Sequence, residues 1–210
     1  MVSLLHAGIA IGNVDGSQHH VGLLYSNDQN NIRFCHLAWH NRLTFSEPKP
    51  KYMWSEIDTL SDENRMVISA FLQSMEEEHP DIPYGFGIDG QCFDEDGNFV
   101  PPPPGEGLTC ATFVVEVLRQ QGFDILVEDS WPIRAEDEAW RAAIIQQLEL
   151  SGTADALHIA ALTAKPTTIR VRPDEVAAAC LSSPIPNEFL SIVALAEDIY
   201  AQVNKQPILR

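Results

Sequence analysis

Four consecutive prolines, Pro101 to Pro104, and two glycines, Gly105 and Gly107, stand directly before Thr109-Cys110-Ala111-Thr112-Phe113-Val114-Val115-Glu116-Val117-Leu118. No helix continues through such a run, because proline lacks the amide donor and clashes with the preceding turn. Apolar residues then recur at 110, 113, 114, 117 and 118, which is the spacing of one helix face. A helix therefore has to begin here. Thr109 suits the N-cap, Cys110 takes the first helical position, and Gly122 suits the C′ position, so the helix is expected over 109–121. A thiol at that place faces the positive end of the helix dipole, which favours the thiolate. The same cysteine also suits plain core packing. Whether the chain supplies a base separates the two readings.

The chain has 210 residues, 45% of them hydrophobic, enough for one sizeable core and for one domain with elaborations. Thirty acidic against 13 basic residues give a formal net charge of -17. That balance argues against nucleic acid or an anionic membrane surface as the main partner. It suits a solvated acidic surface of bacterial type and a cationic or neutral substrate. The cysteines, Cys35, Cys92, Cys110 and Cys180, form no CxxC pair and no regular spacing. Neither a zinc site nor a disulfide framework is expected, and free thiols fit a reducing compartment. The N-terminal segment through Ile11 is apolar but lacks a basic n-region and a cleavage site, so it reads as a strand. No apolar run approaches the ~20 residues that span a bilayer. A cytoplasmic protein is expected.

Residues 3–11, 21–25 and 32–39 read as three strands separated by the turn clusters 13–17 and 27–31, an antiparallel β-meander. On the third strand Phe34, His36 and Ala38 share one face, with Arg33, Cys35 and Leu37 on the other. A helix is expected over 61–78, capped by Ser61 and ended by His79-Pro80. Residues 81–106 read as a long functional loop or lid, and 94–98 within it as a solvated turn rather than a calcium loop. Helices are expected over 136–150, 153–164, 174–181 and 187–203. Residues 168–172 alternate like a short strand. Residues 1–125 form the expected core unit, and 126–210 a mainly helical extension packed on it.

A thiol nucleophile wants an imidazole within hydrogen-bond reach and a polar group to orient that imidazole. Of seven histidines, His20 opens the second strand and His36 lies inside the third. Antiparallel neighbours bring two such side chains to about 5 Å on one face. A buried imidazole between Phe34 and Ala38 needs a partner, and another imidazole is one. His6, His79 and His158 read as ordinary surface or half-buried residues. His19 and His40 are the neighbours that could take the place of an assigned histidine.

The order His20, His36, Cys110 resembles the circularly permuted branch of NlpC-type papain-like cysteine hydrolases, which includes the YiiX-like and lecithin retinol acyltransferase-like enzymes. His20-Val21-Gly22 is similar to that branch's His-x-Gly. His36 falls at the third polar position, and Thr109-Cys110-Ala111-Thr112-Phe113-Val114 resembles the Cys-x-x-Phe-Val helix start. Pro83-Tyr84-Gly85 resembles the Pro-Tyr element ahead of the nucleophile. The likeness covers roughly residues 3–122; the length of the 85–107 loop and the helices after Gly122 depart from it.

The resemblance implies an α+β, permuted papain-like fold, with the meander packed on helices and a helical C-terminal addition. It implies that Cys110 attacks an acyl carbonyl, that His20 is the base and that His36 orients His20. Tyr84 would line the substrate cleft, and the Cys110 N–H would hold the oxyanion. No metal or organic cofactor is called for. The expected activity is that of a cysteine peptidase or amidase cleaving a peptide, amide or ester bond through an acyl-enzyme. An acyltransferase on the same site, or a catalytically silent scaffold that binds a protein through its acidic surface or C-terminal helices, is the alternative.

Overall fold

A computed structural model describes residues 6–166 and 168–209. The opening of the expected first strand, residues 1–5, lies outside the described residues. The protein is α+β. Its strands are β1 (Ala7–Asn13), β2 (His19–Ser26), β3 (Ile32–Trp39), β4 (Arg42–Ser46) and β5 (Met53–Glu56). They form one antiparallel sheet of order β4-β3-β2-β1-β5. The meander of the first three strands is thus widened by two short edge strands that sequence periodicity did not signal.

Among the described residues, six α-helices follow: α1 (Asp62–Glu78), α2 (Cys110–Gln120), α3 (Ala135–Ser151), α4 (Ala156–Ala164), α5 (Pro173–Leu181) and α6 (Phe189–Val203). Ser61 caps α1 by accepting from the Asn64 N–H, and His79 closes it in the left-handed conformation. Residues 168–172 form no strand. The side chains of Arg170 and Arg172 each donate to Asp137, at 3.0 and 3.1 Å, so the stretch is anchored by ion pairs rather than by a ladder. In the long loop, the Asp94 carboxylate accepts from the backbone N–H of Asp96 and Asn98 at 3.0 and 2.9 Å and closes a local turn.

Strand alternation sorts the sheet into two faces. Ile9, Ile11, Val21, Leu23, Tyr25, Cys35 and Leu37 enter the main core with residues of α1, α2, α5 and α6. That core joins Phe113, Val114 and Val117 of α2 to Val176, Ala179 and Ile192 of the C-terminal helices. Burying each larger side chain there contributes about 1.5–3 kcal/mol. The opposite face carries a smaller cluster of Ala10, Leu24 and Phe34, flanked by Ile32 and Tyr52. A third cluster joins Tyr84 to Ile144, Ile145 and Leu148 of α3 and to Ile159 and Leu162 of α4, with Trp39, Phe86 and Trp140 against it. The cleft described next lies where this third cluster meets the start of α2.

Candidate active site

Thr109 and Thr112 set the first turn of α2. The Thr109 hydroxyl accepts from the Thr112 N–H at 3.1 Å, and the Thr112 hydroxyl accepts from the Thr109 N–H at 2.8 Å. This reciprocal capping box holds Cys110 at the first helical position. The chain reaches it alongside Pro83-Tyr84-Gly85. The Leu108 N–H donates to the Pro83 carbonyl at 2.9 Å, and the Gly85 N–H to the Leu108 carbonyl at 3.3 Å. The approach is so close that a Cβ on Gly85 would lie 2.4 Å from the Gly107 nitrogen, and one on Gly107, where φ is +146°, 2.1 Å from the Pro83 oxygen. The two glycines thereby bring Tyr84 and Cys110 to the same cleft.

β2 supplies the other wall. Its ladder with β3 runs from Ser26↔Ile32 to Leu23↔Cys35 and stops there. Beyond that pair the two strands stay close without ladder pairing, and the Val21 N–H meets the Cys110 thiol. On the far face, Gly22 makes room for the third strand's rings. A Cβ at position 22 would stand 2.6 Å from the His36 Cβ and 2.8 Å from the Phe34 ring. His36 stacks on Phe34, with centroids 4.5 Å apart, and reaches His20 across the bare glycine. The His20 Nε2···His36 Nδ1 distance is 2.7 Å, with the rings edge to face at 4.7 Å. The short side chain of the His-Val-Gly triplet is therefore a steric requirement of the histidine pair.

Cys110 and His20 both line a cleft of about 190 Å³, together with His19, Trp39, Tyr84, Trp140 and Arg170. No hydrogen bond joins the Cys110 sulfur to the His20 ring; the polar groups on the sulfur are backbone N–H groups. Burial raises the Cys110 thiol above its usual range, opposed by the Val21 N–H, the Arg170 guanidinium and the Ala111 and Cys110 N–H groups. The thiolate expected from the helix dipole alone is therefore not the resting form at neutral pH, because loss of hydration outweighs the N-terminal donors. Burial also lowers both imidazoles, His20 to about 4 with help from Lys49, and His36 to about 3 with help from His20, Lys49 and Arg42. Both rings are neutral near pH 7, the state in which an imidazole can accept a proton.

The remaining cysteines have less to offset their burial. Cys35 is raised well above the usual thiol range, and Cys92 and Cys180 to about 12. Cys110 is 8% exposed, against 0%, 1% and 0% for Cys35, Cys92 and Cys180.

The neighbouring histidines are spent elsewhere. His19 also lines the cleft, but its Nε2 meets Asn204 Oδ1 at 3.1 Å and its ring lies 4.7 Å from Tyr200. The His40 Nδ1 accepts from the Tyr84 N–H at 3.1 Å. His158 is buried: its Nδ1 accepts from the Gly105 N–H at 3.1 Å, and its Nε2 donates to the Tyr84 carbonyl at 2.8 Å. Tyr84 itself is buried, its ring 5.3 Å from Trp39, and burial pushes its hydroxyl up, with the Cys110 charge adding to the effect.

Several residues around the thiol were not signalled by motif or spacing. Tyr52, on the linker between β4 and β5, sits 4.7 Å from Phe34 and 6.4 Å from His20. Trp140 and Arg170 come from the C-terminal third. Gln18, one residue before β2, also lines the cleft. Among the described residues, no group of three or more His, Cys, Asp or Glu stands close enough to hold a metal ion, and no helix is long and apolar enough to cross a membrane. Compared with protein-family models, curated proteins and solved structures, the chain finds no match in any of the three.

Proposed function

We propose that this protein is a thiol-dependent hydrolase of the permuted papain-like type, cleaving an amide, peptide or ester bond through an acyl-enzyme on Cys110. The observation that carries this reading is the end of the β2–β3 ladder at Leu23↔Cys35. It leaves the Val21 N–H on the Cys110 thiol and puts His20, already hydrogen-bonded to His36, on the same cleft.

In the form that can act as base, the proton of the His20–His36 bond sits on His20 Nε2. His20 Nδ1 is then free to take the thiol proton as the sulfur attacks the acyl carbonyl. The S–C bond forms, the C–N or C–O bond breaks, and the proton passes from His20 to the departing amine or alcohol. Water then adds to the thioester with His20 again as base, releasing the acid and restoring the thiol. His36 acts through His20. It accepts from Nε2 throughout and steadies the imidazolium while it lasts. The backbone N–H groups at the start of α2 are aimed where negative charge develops on the oxyanion. Tyr84 and Trp39 form the apolar flank that would seat the acyl group.

The reading is tested by intact-mass spectrometry after brief incubation with a panel of peptide, isopeptide and ester substrates. An acyl adduct on Cys110 that is absent from Cys110→Ala supports it. Turnover that survives in Cys110→Ala contradicts it.

A further inference from the structure

Among the described residues the cleft's lining contains no aspartate or glutamate and one permanent cation, although the chain carries 30 acidic residues. That cation is Arg170. The guanidinium carbon lies 3.6 Å from the centroid of the Trp140 ring, and Nη1 donates to Asp137 Oδ1 at 3.0 Å. Asp137 divides its charge, since Arg172 Nη2 binds the same oxygen at 3.1 Å. Among the described residues this is the only side-chain hydrogen bond of Arg170, so Nε and Nη2 keep donors to spare. The group is thus held by one face and one nitrogen, with part of its fork unspent. A planar fork in a partly buried cleft is suited to a carboxylate. Arg170 also acts on the reacting group, favouring the Cys110 thiolate, and it senses the Tyr84 hydroxyl.

We propose that Arg170 is the subsite for a carboxylate on the substrate, so that Cys110 acts on acyl compounds bearing a free carboxylate close to the scissile carbonyl. An unblocked peptide C-terminus or an acidic side chain next to the bond has this chemistry. The proposal rests on Cys110 being the nucleophile. It reverses the preference for a cationic or neutral substrate that the net charge alone suggests, because the acidic residues lie outside the cleft. A guanidinium that merely ties α3 to residues 168–172 would not select between charged and neutral partners of the thiol.

The test compares iodoacetate with its neutral isostere iodoacetamide. Site-resolved mass spectrometry gives the alkylation rate of Cys110 by each reagent on the intact protein, with the urea-unfolded protein as baseline. The iodoacetate-to-iodoacetamide ratio at Cys110 should exceed the baseline about tenfold, the order expected for one charge-assisted contact. Arg170→Gln should return it to the baseline. The loss of thiolate stabilisation in that variant cancels in the ratio. Should Arg170→Gln fail to fold, Arg170→Lys carries the comparison: losing the fork lowers the ratio, and an unchanged ratio contradicts the subsite. If Cys110 is alkylated faster than the other cysteines but with a baseline ratio, the nucleophile stands and the carboxylate subsite is overturned. If Cys110 is no faster than Cys35, Cys92 and Cys180 with either reagent, the nucleophile reading fails and the subsite falls with it.

Discussion

Two histidine pairs in this molecule have nearly the same ring geometry and opposite employment. His20 and His36 meet edge to face at 4.7 Å, and His40 and His158 at 4.8 Å. In the second pair three ring nitrogens are tied to backbone, on Tyr84 and Gly105, so the rings work as a staple. It fastens the Pro83-Tyr84-Gly85 segment and the end of the proline-rich loop to α4. In the first pair the rings bind each other, at 2.7 Å, and among the described residues His20, which lines the cleft, has no hydrogen bond on Nδ1. Ring proximity and burial are common to both. What distinguishes a candidate base from a structural imidazole is where its nitrogens are spent.

Removing a ring from each pair separates the two roles. His20→Ala should slow acyl-enzyme formation on Cys110 by about 10²–10⁴-fold, the range of general-base catalysis, with a smaller drop in the urea unfolding midpoint than His158→Ala, since one ring nitrogen rather than two backbone groups loses its partner. A variant that keeps its acylation rate would place His20 among the structural rings. His158→Ala should do the reverse. It strands the Gly105 N–H and the Tyr84 carbonyl, at a cost of about 2–4 kcal/mol. Urea denaturation should show that loss, while the folded fraction still reacts at Cys110. Acid should then reveal what the pairs share. His20, His36 and His40 are lowered to about 4, 3 and 4, from an ordinary imidazole value near 6.5. The unfolded chain therefore binds more protons between these limits. Stability is fully present above pH 6.5 and falls as pH drops toward 4. Urea midpoints measured between pH 7 and 4 should decline over that window, and less steeply in His36→Phe. A flat profile would contradict neutral burial of the rings.

The helix at Cys110 was legible because its signals are local: proline and glycine upstream, a threonine cap, 3.6-residue periodicity. The meander was legible for the same reason. β4 and β5 were not, since five and four residues beside Pro48 and Pro50 carry too little alternation to read. The pairing of His20 with His36 followed from adjacent strands and a glycine. Arg170 could not be found this way. Residues 168–172 carry a strand's alternation, and only tertiary ion pairs to α3 override it. Nor could the charge state of Cys110 be read from the helix start, because it depends on burial, on the Val21 N–H and on Arg170, the last two distant in sequence.

The central claim, that Cys110 at the end of the β2–β3 ladder is a nucleophile, is tested most directly by iodoacetamide labelling of the native protein near neutral pH. Peptide-resolved rates should rank Cys110 first among the four cysteines, and His20→Ala should lower the Cys110 rate alone. Equal labelling of all four, or a Cys110 rate indifferent to His20, would contradict it.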